Sequence, residues 1–360
     1  MTSLFEPLTL RDLTIRNRVF LPPMCQYQAL RHDGVPTDWH LVHYGARAAG
    51  GFGLLIAEAT GVVPEGRITP ACCGLWNDEQ RDAWARIVAF GHSQGAAMGI
   101  QLNHAGRKAS AFSELTPRPG TAPASEGGWT TIAPSPIAFP GYDTPREASV
   151  DEIHALAAAF GESAHRADEA GFDVVELHAA HGYLLFQFLS PLSNQRTDKY
   201  GGSFAGRTRF LLETVDAVRQ SWPAAKPLFV RISATEWTDG GWTMDDTVRL
   251  AGLLKEHGVD LLDVSSGGNV PVKMDVYPGY QVPLARQARA GGLPTCVAGL
   301  ITEPSQAQRI LDEGGVDALA IGRAALHMPT WPLWAAHQLG LDPTQVPYPA
   351  SYRRGQWPAT

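Results

Sequence analysis

Eight short apolar runs recur along this 360-residue chain, and helical patterns fill much of the sequence between them. Near-continuous apolar runs are typical of parallel strands that are buried on both faces. The runs cover residues 18–24, 53–59, 97–103, 172–178, 227–233, 261–265, 294–299 and 317–322. The amphipathic segments cover residues 78–94, 151–170, 204–222, 245–257 and 303–313. Ser149 to Glu152 resembles a capping box at the start of the second of these segments.

Strands that alternate with helices predict one α/β domain, a closed (β/α)8 barrel of the TIM type. Such a barrel needs roughly 250 residues, so this chain has room for insertions. An open, doubly wound sheet is the alternative, and it favours a glycine-rich turn directly after the first strand. Pro22-Pro23-Met24-Cys25 stands there instead. Residues 108–147, rich in Gly, Pro and Ser, predict an excursion after the third strand that forms a loop or partial lid.

Composition excludes several classes of protein. The formal net charge is −7, and no run of Lys or Arg is long enough to follow a phosphate backbone, so we expect no nucleic-acid partner. Residues 1–7 lack the regions of a signal peptide, and no stretch approaches the roughly 18 apolar residues of a membrane helix. Four cysteines are too few for a disulfide framework in a chain of this size. We therefore expect a cytoplasmic protein with free thiols and no membrane contact.

The active site of a (β/α) barrel lies at the carboxyl ends of its strands. Polar, aromatic and glycine residues end most of the predicted strands here. Gly299 follows the seventh run, while Gly322 and Arg323 follow the eighth, which is the usual phosphate position in this fold. Glycines let backbone N–H groups approach a phosphate closely, and an arginine can pair with it. The alternative is a pair of turn glycines beside a surface arginine.

His178-Ala-Ala-His181-Gly-Tyr183 ends the fourth run and is the most informative segment. Residues three apart on a strand point to opposite faces, so the chain must turn after His178 for both imidazoles to converge. Two imidazoles that donate to one carbonyl or nitro oxygen would form an electrophilic clamp, and Tyr183 could then supply a proton. Glu176 shares the face of His178, so a zinc-dependent hydrolase that uses His178, His181 and Glu176 is the alternative.

Three further features allow two interpretations each. Arg231 lies within the fifth run, where a buried charge needs a partner, either an anionic cofactor or a salt bridge from the next strand. Cys25, with Tyr27 two residues later, could contact a cofactor ring or simply pack. The second histidine pair, His40 and His43, has helical spacing and is interpreted as helix surface and packing rather than as a site. The other three cysteines are interpreted as packing.

Several of these segments together resemble the Old Yellow Enzyme family. They are Pro22-Pro-Met-Cys-Gln-Tyr27, Glu58-Ala-Thr60, His104-Ala-Gly-Arg-Lys108, Glu176-Leu-His-Ala-Ala-His-Gly-Tyr-Leu184, Asn194-Gln-Arg-Thr-Asp-Lys-Tyr-Gly-Gly-Ser203 and Ile321-Gly-Arg323. The resemblance runs from residue 4 to the carboxyl terminus. Cys25 and Tyr27 are similar to the bacterial xenobiotic-reductase branch of the family, often called thermophilic-like.

The resemblance implies that non-covalent FMN lies over the barrel mouth. Arg231 would face N1 and the C2 carbonyl of its ring, and Gly299, Gly322 and Arg323 would hold its phosphate. The residues implied to line the ring are Pro22, Pro23, Met24, Cys25, Ala59 and Gln101. No metal ligands are implied.

The same resemblance implies an ene-reductase. His178 and His181 would bind the activating oxygen of an α,β-unsaturated carbonyl or related activated alkene, with Tyr27 on the other side. Hydride would pass from flavin N5 to the β-carbon, and Tyr183 would protonate the α-carbon. NADPH, or NADH, would reduce the flavin in the same cavity.

Residues 343–360 are similar to a carboxyl-terminal tail that reaches a neighbouring subunit in this branch. Arg354 is the better match for its arginine and Trp357 for its aromatic residue, although Arg353 leaves the register ambiguous by one. The resemblance therefore implies a homodimer or a dimer of dimers. A frayed, proline-rich terminus is the alternative.

Overall fold

In the computed structural model, eight parallel strands close into a barrel, with β8 hydrogen bonded to β1. The strands are β1 (Val19–Leu21), β2 (Leu54–Gly61), β3 (Ala97–Asn103), β4 (Val174–Ala179), β5 (Leu228–Ser233), β6 (Leu261–Ser265), β7 (Thr295–Val297) and β8 (Ala318–Ala320). They follow the barrel in chain order, which is the order of a (β/α)8 barrel. The predicted fold is confirmed.

The structure describes residues 3–358 apart from residues 114 and 117. Two residues of the predicted excursion and the last two residues of the predicted tail therefore lie outside the described residues. The first two residues of the amino-terminal segment, in which no signal peptide is expected, also lie outside them.

Helices cover the outside of the barrel. They are α1 (Asp38–Ala49), α2 (Asp78–Ser93), α3 (Val150–Glu169), α4 (Leu184–Leu189), α5 (Phe204–Ser221), α6 (Met244–Glu256), α7 (Val282–Ala288), α8 (Pro304–Asp312), α9 (Arg323–His327) and α10 (Trp331–Gln338). The Ser149 hydroxyl accepts from the backbone N–H of Glu152, and the Glu152 carboxylate accepts from the N–H of Ser149. This is the predicted capping box, and it fixes where α3 begins.

Several strands are shorter than the apolar runs that predict them. β1 ends at Leu21, whereas the run extends to Met24. Pro22 and Pro23 follow, and proline has no N–H to donate to a neighbouring strand. β7 likewise begins only after Pro294. The proline residues thus turn the ends of apolar runs into loops at the barrel rim.

The barrel interior has an apolar floor. An antiparallel hairpin, Leu8–Leu10 with Leu13–Ile15, lies beneath it. The inward-facing side chains that pack with this hairpin include Phe20, Leu54, Ile56, Val174, Phe229, Leu261 and Cys296. Side chains alternate along a strand, so the next inward positions are two residues further on. On β4, β5 and β6 those positions are Glu176, Arg231 and Asp263, and the interior changes there from apolar to charged.

The predicted excursion lies against the face where the carboxyl ends of the strands emerge. It contains a short parallel pair, Ile132–Ala133 with Arg146–Glu147. The indole N–H of Trp129 donates to the carbonyl oxygen of Glu65 at 2.9 Å, and Trp129 packs in one cluster with Tyr27 and Tyr183. The excursion therefore covers part of the predicted site. Within the described part of the chain, no helix combines the length and apolarity needed to cross a membrane.

Candidate active site

A cavity of about 200 Å³ opens at the carboxyl ends of β5 to β8. Its walls come from Arg231 within β5 and from the ends of β6, β7 and β8 with the three loops that follow them. The lining residues include Arg231, Ser265, Gln281, Gly299, Gly322 and Arg323. Four of the residues predicted to bind the cofactor, Arg231, Gly299, Gly322 and Arg323, therefore meet in one place.

The far end of this cavity suits a phosphate group. Gly299 has φ +135°, in the range that favours glycine, and a side chain there would contact Tyr280 and Gln281 at 3.4 Å. Gly322 precedes α9, and the first N–H groups of a helix have no partner within that helix. The guanidinium of Arg323 lies in the same wall. Backbone N–H groups, missing side chains and a cation thus meet where an anion could bind.

Arg231 has the salt bridge that its sequence position allows, while its contact with an anionic cofactor stays a prediction. Its Nε atom lies 3.2 Å from Oδ2 of Asp263 on the neighbouring strand β6, so the salt bridge exists. Both side chains are buried, at 7% and 2% exposure. Arg231 also lines the cavity, which leaves its guanidinium available to a ligand. The sequence analysis gave Asp263 no role, although it is the one charged residue of the predicted strand 261–265.

Two of the residues predicted to line the cofactor ring, Pro22 and Met24, lie beside Gly322. A side-chain carbon at position 322 would lie 3.5 Å from Pro22 and 3.7 Å from the Met24 sulfur. Ala59 and Gln101 are register partners on β2 and β3. A β-bulge at Glu58 shifts the register between Ala57 and Ala59 and so creates this pairing.

Cys25 is half-buried and hydrogen bonds to the thiol of Cys72. That hydrogen bond and burial raise the pKa of the Cys25 thiol well above its usual range. Cys25 is therefore a neutral thiol near neutral pH. Cys72 is buried, as the packing interpretation expects, but it also supports Cys25, which the sequence did not indicate.

A buried group of three residues stabilises the loop after Cys25. The Glu58 carboxylate accepts from the backbone N–H of Gln26 at 3.1 Å. His40 Nε2 lies 3.2 Å from Glu58 Oε1 and 3.2 Å from the Cys73 sulfur. His40 Nδ1 accepts from the backbone N–H of Thr37 at 2.8 Å, so the proton of the neutral ring is on Nε2. The ligand atoms of Glu58, His40 and Cys73 lie within 4.8 Å of one another, a spacing at which they could hold a metal ion. The His40 nitrogen among them carries a proton, however, and is a donor.

The surface interpretation of His40 and His43 is wrong. Both lie on α1, as their spacing predicts, but His40 is 0% exposed and His43 is 6% exposed. Burial lowers the pKa of His43 to about 3. His40 faces Glu58 on β2, and the packing half of the interpretation is confirmed for both residues.

His178, His181 and Tyr183 converge, because the chain turns directly after β4. His181 has φ +58° and Gly182 has φ +70°, both in the left-handed region. The centroids of the two imidazole rings lie 5.1 Å apart, and the ring of Tyr183 lies 4.9 Å from that of His178. Tyr27 packs with Tyr183 in the same cluster. The structure thus brings all four residues together.

Hydrogen bonds assign the tautomer of His178 and give His181 two partners. His178 Nδ1 accepts from the backbone N–H of Ala180 at 3.3 Å, which places the proton on Nε2. His178 Nε2 lies 3.4 Å from His181 Nδ1, and His181 Nε2 lies 2.7 Å from the Ser265 hydroxyl. His181 therefore has a polar partner at each ring nitrogen. Ser265, on β6, orients His181.

Both histidines are neutral near neutral pH. Burial lowers the pKa of His178 and of His181 well below the usual range, and the nearby charge of Arg231 lowers both further. Lys108 acts in the same direction, and its Nζ donates to the carbonyl oxygen of His181 at 2.9 Å. The same Nζ lies 4.9 Å from the centre of the Tyr183 ring. Lys108 is thus a cation at the site that sequence reasoning did not assign a role.

The zinc arrangement is not formed by these side chains. Glu176 Oε1 accepts from Gln101 Nε2 at 2.8 Å, within the barrel. His181 Nε2 is held by Ser265. Across residues 3–358 without 114 and 117, the ligand-like groups of three include neither His178 nor His181. Glu176 therefore does not join the histidine pair.

Arg354 and Trp357 lie away from the cavity of their own chain. The Trp357 ring stacks on His337 of α10, with centroids 5.5 Å apart and planes at 13°. Arg354 is exposed to solvent. Neither residue lines the cavity of this chain, so their roles stay a prediction about a neighbouring subunit.

A (β/α)8 barrel with an anion cradle after β7 and β8 and a neutral histidine pair after β4 defines a cofactor-dependent barrel enzyme. A family model for NADH:flavin oxidoreductases and NADH oxidases matches residues 3–342. The NADPH dehydrogenase of Geobacillus thermodenitrificans is 46% identical over 356 residues, which are 98% of this chain and 98% of that protein. The NADPH dehydrogenase of Bacillus subtilis is 44% identical over 355 residues, 98% of this chain and 99% of that protein.

A solved structure agrees with these relatives. Morphinone reductase in complex with tetrahydroNAD is 30% identical, with a TM-score of 0.78 over 96% of this chain and 94% of that one. The chain therefore belongs to the NADH:flavin oxidoreductase / NADH oxidase family, and the expected membership of the Old Yellow Enzyme family is confirmed. It is an oxidoreductase of the Old Yellow Enzyme type.

The histidine pair should remain unprotonated where an exposed histidine titrates. On lowering the pH from about 8 to about 5.5, the side-chain NMR signals of His178 and His181 should not shift, because burial holds their pKa values well below the ordinary histidine value of about 6.5. His92 is the internal control, because its hydrogen bond to Asp173 raises its pKa and it should titrate above that value.

The neutral histidine pair also makes the free energy of unfolding depend on pH. In the unfolded chain both histidines take up a proton at about pH 6.5, whereas in the folded chain they stay neutral, so the free energy of unfolding decreases as the pH falls below about 6.5.

Single His→Asn variants would assign the three signals. A midpoint near 6.5 for His178 or His181 would contradict the neutral pair.

Proposed function

We propose that this protein is an FMN-dependent ene-reductase that uses NADPH to reduce the C=C bond of α,β-unsaturated carbonyl compounds and related activated alkenes. One observation carries the proposal. The anion cradle and Arg231 lie in one cavity at the strand ends, and the adjoining loop after β4 brings His178, His181 and Tyr183 together. Membership of the flavin oxidoreductase family supports the same chemistry.

The residues of the cavity fit FMN. Gly299, Gly322 and Arg323 would hold its phosphate, and Arg231 would face the electron-rich edge of its ring. The walls beside the ring would come from Pro22, Pro23, Met24, Cys25, Ala59 and Gln101. When bound, the flavin supplies two-electron hydride chemistry that amino-acid side chains lack. The chain itself supplies binding, orientation and charge.

The histidine pair would bind the oxygen that activates the substrate. The Nε2–H of His178 is one donor, and His181 is a second donor when the Ser265 hydroxyl donates to its Nε2 and leaves the proton on Nδ1. Both rings are neutral and bring no charge that a carbonyl compound would have to match. The contact between His178 and His181 is long, at 3.4 Å, so a substrate oxygen can replace it at little cost. Tyr27, with φ +55°, is held in the facing wall by the cluster that also contains Tyr183.

Tyr183 would give a proton to the α-carbon of the substrate. It lies beside His178, so its hydroxyl is near the oxygen-binding pair. Lys108 over the Tyr183 ring would stabilise the negative charge that the phenol oxygen gains when its proton leaves. The chain thus places the oxygen donors and the proton donor on one side of the cavity.

We extend the proposal to the reductant and to the assembly. The relatives named NADPH dehydrogenase favour NADPH over NADH, and the tetrahydroNAD complex of morphinone reductase supports a nicotinamide cofactor as the reductant.

Arg354 would reach the cofactor and Trp357 the substrate in a neighbouring subunit, which requires a homodimer or a dimer of dimers. The mass of a single chain in sedimentation equilibrium would contradict this assembly.

The visible spectrum tests the reaction class directly. The purified protein should absorb as a flavoprotein, lose that absorbance on anaerobic addition of NADPH, and regain it when cyclohexenone is added. A sample of the reduced protein without the enone is the control, since recovery of its absorbance would point to residual oxygen. A colourless protein that stays colourless after FMN is added would overturn the proposal.

Replacing Tyr183 with phenylalanine should separate the two half-reactions. Removing a positioned proton donor costs typically 10²- to 10⁴-fold, so Tyr183→Phe should slow alkene reduction by about that factor. Reduction of the flavin by NADPH should change little, because no proton from Tyr183 is needed there. Stopped-flow absorbance measures both rates.

Tyr142→Phe is a matched control, since Tyr142 packs against the same cluster and its ring contacts Phe139. Equal slowing of both half-reactions in Tyr183→Phe would mean that Tyr183 has a structural role.

A further inference from the structure

Four polar side chains fill the barrel interior directly above its apolar floor. They are Gln101, Glu176, Arg231 and Asp263, from the neighbouring strands β3 to β6. All four are buried, with 1%, 0%, 7% and 2% exposure. Since Arg231 also lines the cavity, this layer lies directly beneath the proposed flavin site.

The two carboxyl groups in this layer contact one another. Glu176 Oε1 accepts from Gln101 Nε2 at 2.8 Å, and Asp263 Oδ2 lies 3.2 Å from Arg231 Nε. Glu176 and Asp263 are also within hydrogen-bonding distance of each other. If both were ionised, Glu176 Oε2 and Asp263 Oδ1 would receive no hydrogen bond from any described residue. A proton on one carboxyl group lets it donate to the other, a hydrogen bond that two carboxylates cannot make.

Charge balance gives the same result. Two carboxylates against one guanidinium would leave a buried net negative charge, which is strongly disfavoured. The neighbouring groups do not offset it, because His178 is neutral and burial raises the pKa of the Cys296 thiol. Burial raises the pKa of both carboxyl groups, and Arg231 opposes this shift at both. The charge of Asp263 raises the pKa of Glu176 further, whereas the hydrogen bond between the two groups favours the charged form of Asp263. The proton therefore belongs on Glu176.

We propose that Glu176 and Asp263 share one proton as an acid–carboxylate pair, and that its single negative charge limits the positive charge that Arg231 presents to the bound flavin. The first half concerns the protein alone. The second half rests on the proposed function. Glu176 and Asp263 are both positioning residues, because they act on the flavin through Arg231.

Infrared spectroscopy of the flavin-free protein tests the shared proton. At neutral pH the wild-type protein should show the C=O band of a protonated carboxylic acid, and Glu176→Gln should remove it. Glutamine at position 176 retains both an acceptor for Gln101 and a donor for Asp263, so this variant should fold. An identical acid band in both proteins, or no such band in the wild type, would overturn the shared proton.

The midpoint potential of the bound flavin tests the effect on Arg231. Glu176→Gln replaces a neutral group by a neutral group, so it should change the two-electron equilibrium constant by less than about threefold. Adding Asp263→Asn to that variant removes the remaining negative charge. The double variant should favour the reduced flavin at least tenfold, a rise of about 30 mV in potential.

Equal potentials in the single and double variants would overturn the second half of the proposal. So would a protein that binds no flavin, which would also contradict the proposed function. In that case the infrared result still decides whether the proton is shared. If the double variant does not fold, a large potential change in Glu176→Gln alone would show that Glu176 is ionised and would overturn the pair.

Discussion

Closure of the barrel between β8 and β1 is the constraint on which the site depends. Val19 and Phe20 pair with Leu319 and Ala320 and complete a ring of parallel strands. Parallel strands all end at the same face, so loops distant in sequence are brought together there. The cradle after β7 and β8, the prolines after β1 and the histidines after β4 meet only because the ring is closed.

The interior of the ring is graded along its axis. Phe229 belongs to the apolar floor, and two residues later the same strand presents Arg231. A charge at this depth is stable because Asp263 on the next strand pairs with it in register. The charged layer is thus a product of strand register, and it is located where a cofactor with an electron-rich edge would bind.

Much of this could be predicted because it depends on local sequence. Apolar runs predicted the eight strands, and the residues at the ends of the last two runs predicted the cradle of Gly299, Gly322 and Arg323. Asp263, Glu58 and Cys72 were missed, because each owes its role to a partner on another element. A sequence shows that Asp263 is in a strand, but only the register shows that it meets Arg231. The burial of His40 was missed for the same reason, since its partners lie on β2 and in the loop before α2.

Three residues around the site, Tyr27, His181 and Leu300, have φ of +55°, +58° and +53°. Residues other than glycine disfavour this conformation, at a cost on the order of 1 kcal/mol or more each. The surrounding contacts hold these residues there without a ligand. The loops after β1, β4 and β7 are therefore preorganised, so that a ligand meets walls whose ordering entropy was lost during folding. The backbone strain lowers the stability of the folded protein, and in return less loop entropy is lost when a ligand binds.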